Sequence, residues 1–287
     1  MSDTAARNQQ AARFRALHVP GQPLLLANVW DAATARIVEQ AGAVALATSS
    51  AAVANALGYP DGNALPAAEQ IAATARIAAV IGIPLSVDAE AGYSDAPAEA
   101  AQTVGRLLEV GAVGINLEDG AAPPALLAEK IRAIRTHAAR IGRDVFINAR
   151  TDVFLRGLVA DAEAVEETLR RLALYRDAGA DGGFVPGLVN LERLSSIATA
   201  SAMPLNAMVV PGIADVAALA AAGVARISLG GGAFLACLSL ARRIAEELLR
   251  GGTYTAMGEA SAISHREANG LFAARRTHPE ARRRGEA

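Results

Sequence analysis

The sequence holds a single cysteine, Cys237. No internal disulfide can form, and no C-x-x-C or Cys/His cluster with zinc-ligand spacing is present. A reducing compartment fits this usage. The first residues, MSDTAARNQQAARFRALHVPG, hold no apolar stretch of the signal-peptide kind, and no run of about eighteen uncharged apolar residues occurs. A cytoplasmic location and no membrane partner are therefore expected. Aromatic residues are scarce, at 4%, and charge of one sign is scarcer still, with 27 basic against 29 acidic residues and a net charge of −2. Without a basic field the chain has no footprint for nucleic acid or an anionic membrane, and small molecules become the expected partners. Lysine is nearly absent as well: Lys130 is one of the 27 basic residues and arginine supplies the rest.

What is present is ample apolar material, 52% of 287 residues, enough for one large core. Its arrangement repeats. An alanine-rich helical segment ends at a glycine and an apolar run of strand length follows, in EQAGAVALAT at Gly42, LEVGAVGINLED at Gly111, RDAGADGGFVPG at Gly179 and LAAAGVARISLG at Gly223. Glycine past a helix end takes the left-handed conformation without steric cost. IGIPLSVDAE, IGRDVFINAR and SAMPLNAMVV share this logic, and PLLLANVWD supplies a first strand. Eight strands are predicted, near 24–28, 43–47, 84–88, 113–117, 144–149, 182–185, 204–209 and 225–229. Their alternation with helices predicts a single-domain parallel (β/α)8 barrel over residues 1–287. An open doubly wound sheet is disfavoured, because ANVWDAATAR after the first strand lacks G-x-G-x-x-G. Residues 1–20 read as a helix closing the barrel bottom. AFLACLSLARRIAEELLRGG and TAMGEASAISHREANGLFAA read as further helices, the latter within a C-terminal extension over 252–287 whose charged end, ARRTHPEARRRGEA, is expected to fray.

Barrel chemistry sits at the carboxyl ends of the strands, on the inward face set by the period of two. There the third strand presents Ser86, Asp88 and Glu90, the fourth Gly114, Asn116 and Glu118, and the fifth Asn148 and Arg150. The loop after the second strand adds Asp61. Carboxylates crowded in this way repel one another unless a cation compensates. A hard divalent ion with oxygen ligands, Mg2+ or alternatively Mn2+, answers that need and leaves positions for a ligand's oxygens. Arg150 offers a bidentate clamp for a carboxylate or phosphate. An imine mechanism needs a lysine at a strand's carboxyl end. Lys130 falls in LLAEKIRAIR, on the helix after the fourth strand.

From about Asn28 to Asn206, ATSSAAVANALGYPDGN, SVDAEAGY, INLEDG and FINARTD occur in an order and spacing that resembles the isocitrate lyase/phosphoenolpyruvate mutase superfamily. The resemblance implies a (β/α)8 barrel that binds Mg2+ and acts on C–C or P–C bonds of 2-oxo acids. By position it implies Asp88 as main metal ligand, with Asp61, Glu90 and Glu118 holding the metal's waters. Ser49 and Ser50 would line a carboxylate site and Arg150 would stand by the departing or accepting group. Asp61, Glu118 and Arg150 form the implied catalytic set, and Ser49, Ser50, Asp88, Arg150 and Asn206 the substrate-binding set. It also implies homodimers or homotetramers with a C-terminal helix swapped between subunits.

The chain departs from the superfamily's pattern in three places. The K-x-C-G-H segment of isocitrate-type lyases is replaced by EDGAAPPALLAEKIRAIR, which also lacks the longer gating loop of phosphonate mutases. After the sixth strand, Val185-Pro186-Gly187 stands where lyases carry Pro-Glu and mutases His. The proton donor is thus left open among Tyr59, Tyr93 and a metal-bound water. Three readings follow. The first is a Mg2+-dependent C–C lyase of small 2-oxo or 2-hydroxy carboxylates working through a stabilised enolate. The second is a hydrolase or decarboxylase of oxaloacetate-like or phosphonopyruvate-like compounds, and the third a non-catalytic 2-oxo acid binder. Gly230-Gly231-Gly232 offers a rival phosphate-binding turn. Cys237 is expected in core packing, Trp30 in rim packing, and His18, His137, His265 and His278 outside catalysis. Asn206 and Arg226 alternate inward, suited either to interior hydrogen bonding or to ligand contact.

Overall fold

The computed structural model describes residues 3–260 and 263–273. Nine parallel strands lie in the order β1-β9-β8-β7-β6-β5-β4-β3-β2. Here β1 is Leu24–Leu26, β2 Asn28–Val29, β3 Leu46–Thr48, β4 Leu85–Asp88, β5 Gly114–Glu118, β6 Phe146–Arg150, β7 Gly182–Phe184, β8 Leu205–Met208 and β9 Arg226–Ser228. The two ends of that order, β1 and β2, are one extended stretch interrupted at Ala27, so the sheet returns to itself with eight staves. The expected first strand is therefore divided: its beginning pairs with β9 and its end with β3. The other strands fall within a few residues of their expected positions, with the second starting later, at Leu46.

The helices follow from caps and apolar spacing. α2 (Ala32–Gln40) begins at Asp31, which accepts from Thr34 N at 2.8 Å in a reciprocal capping box. α5 (Pro97–Glu109) starts on a proline and buries Ala100, Ala101, Val104, Leu107 and Leu108, the spacing of one helical face, against the sheet. The glycines that punctuate helix and strand at 42, 111, 179 and 223 all take positive φ. A Cβ at Gly111 would lie 2.7 Å from Ala78 Cβ, so close packing adds to the conformational demand. Leu85, Val87 and Ala89 join the core between strands and helices, while Ser86 and Asp88, alternating with them on β4, turn to the barrel axis.

α1 (Asp3–Ala16) packs against the start of β5 and β6. Its Phe14, fully buried, meets Phe146 and His18 edge-on at 5.4 and 4.8 Å, and Gly114 leaves the room that Phe14 fills. Desolvation lowers the His18 pKa to about 3, keeping the ring neutral. Arg15 ties α1 to Asp144 at 2.7 Å and to Asp181 at 3.3 Å.

The C-terminal region departs from expectation. α11 (Gly232–Glu246) buries only Phe234, and Cys237 is exposed beside exposed Leu235 and Leu238 rather than packed in a core. The helix is amphipathic as read, and much of its apolar face, Leu235, Cys237 and Leu238, stays exposed. A π-helical turn (Glu247–Gly251) follows. The single helix expected next is two, α12 (Thr255–Ala260) and α13 (His265–Ala273), and α13 packs on α2, where Arg36 Nε donates to Leu271 O at 2.8 Å. The segment expected to fray, with His278, lies outside the described residues. Among the described residues no helix is long and apolar enough to cross a membrane.

Candidate active site

Four strand ends carry the polar groups of the mouth. β3 (Leu46–Thr48) ends at Thr48, whose Oγ1 accepts the Asp88 amide at 2.9 Å. The chain then enters α3 (Ser50–Ala56) with Ser49 as its cap. Asp88, last residue of β4, takes Ser50 Oγ at 2.9 Å and Ser50 N at 3.3 Å on Oδ2, and its Oδ1 is buried with no partner. Two residues on, Glu90 takes φ +48, an uncommon conformation for a residue with a side chain. This turns its carboxylate inward, where Oε2 accepts Asn63 N and Oε1 is buried and unpartnered. Asn63 and Tyr93 also have positive φ, so the facing loops after β3 and β4 both hold uncommon backbone at this spot.

β5 and β6 lie in register with Glu118 opposite Arg150, and Arg150 Nη1 reaches Glu118 Oε2 at 2.7 Å. The other edge of that guanidinium is taken by Asp152, at 2.6 Å from Nε and 3.1 Å from Nη2. Asp152 also receives Arg156 Nε at 2.9 Å, and its amide donates to Asp119 Oδ1 at 2.9 Å. Asp119 Oδ2 in turn accepts Arg171 at 2.9 Å and the Tyr175 hydroxyl at 2.6 Å. Sequence reasoning missed Asp119, Asp152, Arg171 and Tyr175. The two aspartates were in view within INLEDG and FINARTD. Their role depends on turns just past the strands, where the period of two no longer applies.

Burial and the nearby Asp88 and Asp61 charges push Glu90 up to about 7. Burial pushes Glu118 up as well, an effect the Arg150 charge only partly offsets. The Tyr93 hydroxyl, buried and unpartnered, is raised by desolvation and by Glu90, Asp88 and Glu118. The Asp88 charge thus acts on Glu90, Tyr93 and Glu118 alike. Asp61 is exposed on its loop and acts on Glu90 only through its field. Ser49 is buried at the α3 cap, and its Oγ accepts Ala52 N at 3.4 Å. Asn206, in the barrel interior, donates to Ala207 O and to Ser228 Oγ, leaving Oδ1 unpartnered. The rival phosphate turn is already engaged: Asn28 Oδ1 accepts both Leu229 N and Gly230 N at 2.9 Å. Trp30 packs at the rim, edge-on to Phe234 at 5.2 Å. Lys130 is buried on α6 (Pro124–Arg140) and donates to Ala91 O at 2.8 Å.

The orphaned Asp88 Oδ1 and Glu90 Oε1 suit a hard cation. Among the described residues no three acidic, histidine or cysteine side chains form a ready-made cage. Mg2+ commonly takes one or two carboxylates and keeps several waters, so the donor set fits it without such a cage.

The family model described as phosphoenolpyruvate phosphomutase matches residues 14–249. The chain belongs to that family. Within the isocitrate lyase/PEP mutase superfamily, it is 38% identical over 221 residues to an uncharacterized protein of Mycobacterium tuberculosis, covering 76% of this chain and 81% of the relative. To an oxaloacetate decarboxylase of Paraburkholderia xenovorans it is 30% identical over 257 residues, covering 85% and 83%. The crystal structure of a Burkholderia cenocepacia protein provisionally assigned as a lyase or mutase superposes with a TM-score of 0.85 at 35% identity, covering 94% of this chain and 98% of the other. This PEP mutase family member is thus an enzyme of a superfamily whose reactions include lyase, mutase and decarboxylase chemistry. Its fold is the expected α/β barrel.

Proposed function

We propose that the barrel mouth breaks or forms a C–C bond beside a 2-oxo or 2-hydroxy carboxylate, with Mg2+ as cofactor and Mn2+ as a substitute. The observation that carries this reading is the pair of buried carboxylate oxygens without partners, Asp88 Oδ1 and Glu90 Oε1, next to a guanidinium anchored by Glu118 and Asp152. Asp88 would hold the ion directly, with Glu90, Glu118 and Asp61 holding its waters. A bound ion would supply positive charge beside the ligand's oxygens, where negative charge develops as the adjacent bond breaks.

The protein's own groups do the rest. Ser50 fixes the Asp88 carboxylate from one side, so the other oxygen faces the mouth. Ser49 and Ser50, at the start of α3, and Asn206 line the ligand's carboxylate end. Arg150, held planar by two carboxylates, presents its remaining N–H groups to the group that departs or arrives. Tyr93, protonated throughout the neutral range, is better placed than Tyr59 to deliver a proton, because Tyr59 packs with Val53, Leu65 and Trp30. The turn from Asp119 to Pro123 before α6 carries no gating loop.

A second form of the same chemistry is decarboxylation of a 2-oxo diacid. Carbon dioxide departs without abstraction of a hydroxyl proton, which suits a mouth lacking cysteine and histidine, and the similarity to an oxaloacetate decarboxylase supports it. The exposed apolar face of α11 supports the expected association of copies, as a homodimer or homotetramer. Turnover tests the reading. A panel of 2-oxo diacids, 2-methylmalate-like acids and phosphono acids should yield a reacting 2-oxo or 2-hydroxy acid with Mg2+ and none with EDTA. Binding of 2-oxo acids with no turnover across the panel would leave a non-catalytic binder.

A further inference from the structure

One charge in the barrel has no role in the chemistry above. Arg226 stands on the inward face of β9, is 1% exposed, and forms no ion pair among the described residues. Its Nη2 donates to Asn116 Oδ1 at 3.2 Å, and the same oxygen accepts Asn148 Nδ2 at 2.9 Å. Its Nε and Nη1 are buried without partners. Phe14 lies beneath the guanidinium, with the ring centroid 5.9 Å away, Asn206 stands beside it in register, and the neutral His18 ring lies within reach of its charge. Among the described residues the carboxylate whose charge acts on it is Asp88, which is paired in register with Asn116, the residue Arg226 touches. Desolvation draws the guanidinium down to about 9, which leaves it charged at neutral pH.

A buried ion without a counter-ion is costly, and an apolar residue would fill this position at lower cost to folding. The placement explains why a charge is there. Asp88 and Glu118 end β4 and β5, whereas Arg226 is the first residue of β9 and stands over Phe14 of α1, so it lies deeper in the barrel than the acid cluster. A fixed cation in that place opposes a second cation at Asp88 and attracts an anion in the mouth.

We propose that Arg226 is an internal counter-charge that makes the site select a metal and a carboxylate ligand together over the metal alone. It acts through Asp88 and the field of the mouth, and so is a positioning and specificity residue. This rests on the reading that Asp88 holds a divalent cation.

The test uses the full chain, with Mn2+ alone and then oxalate at saturating Mg2+ as probes, each followed by calorimetry. Replacing Arg226 by methionine or glutamine removes the charge, and a unit charge roughly 10 Å from a bound ion at an effective dielectric of about 20 shifts a Kd on the order of tenfold. Mn2+ alone should bind Arg226→Met about tenfold tighter than wild type, and oxalate should bind it about tenfold weaker, whereas Arg226→Lys should restore both toward wild type. Opposite signs are the signature, since a merely structural role would weaken both probes. Glutamine serves as the second neutral variant should methionine impair folding. Unchanged or weaker Mn2+ binding in a folded neutral variant, with binding abolished in Asp88→Asn, overturns the counter-charge. Mn2+ binding that survives Asp88→Asn overturns the metal reading, and this proposal with it.

Discussion

Arg150 and Asp152 are joined by a two-point fork, Nε and Nη2 of the guanidinium on the two carboxylate oxygens at 2.6 and 3.1 Å, with the carboxylate wholly buried. Such a fork fixes the plane of the guanidinium, so that its free N–H groups are aimed before a ligand arrives. Asp152 is itself held by Asp119, which is anchored by Arg171 and Tyr175 from the helix Ala164–Ala178, so the clamp rests on packed secondary structure.

Asp152→Ala leaves Arg150 paired with Glu118 alone and is expected to cost about 1–3 kcal/mol of stability, the usual result of removing one partner from a buried hydrogen-bonded network. Denaturant unfolding measures it. Arg150→Lys keeps the charge and loses the fork, and the expected outcome is a fall in kcat/KM of tenfold or more with a Tm near wild type. Native kinetics in that variant would place the clamp elsewhere.

Asp88→Ala removes the carboxylate oxygen proposed to meet the ion. Mg2+-dependent binding of a 2-oxo acid should vanish in calorimetry on EDTA-stripped protein, while Asp61→Ala, at an exposed position, should weaken it severalfold at most.

The metal-free protein should lose stability as pH rises. Glu90 is held at about 7 against an ordinary value of 4.5. The native state therefore keeps a proton that the unfolded chain releases between those values. The resulting contribution is complete below the unfolded value and is lost as pH rises through the folded one. Glu118 acts in the same direction. Melting curves should show Tm falling between about pH 5 and 8, with Glu90→Gln flattening the fall. His18 works oppositely, because its pKa of about 3 makes the native state lose stability as pH drops below 6.5.

Gly187 follows β7 at φ +84, and a Cβ there would stand 2.9 Å from the Leu155 Cα, which is backbone and cannot swing aside. Gly187→Ala is expected to cost about 1–3 kcal/mol, from strain and from displacement of the short helix Val153–Arg156 behind Arg150. Chemical denaturation reads this directly.

Much of the site was legible because a parallel barrel converts the period of two into an inward face. Ser86 and Asp88, then Asn116 and Glu118, then Asn148 and Arg150 follow from that period, whereas Glu90 reaches the mouth through a left-handed turn past β4. Legibility stopped where the strands do. Asp119 and Asp152 act through turn geometry, and Tyr175 meets Asp119 across 56 residues of chain. Cys237 misled for a different reason: an apolar helix face signals burial somewhere, and among the described residues only Phe234 of α11 is buried while Cys237 stays exposed. The break at Ala27 was invisible because β1 and β2 are one extended run whose two halves choose different neighbours.

The central claim is that Asp88 seats a divalent cation beside a carboxylate ligand clamped by Arg150. A crystal grown with Mn2+ and oxalate tests it most directly through anomalous scattering. The expected result is one strong peak in contact with Asp88, Glu90 and Glu118 linked to it through water, and the anion between the ion and Arg150. A peak away from Asp88, or none while oxalate is bound, would contradict the account.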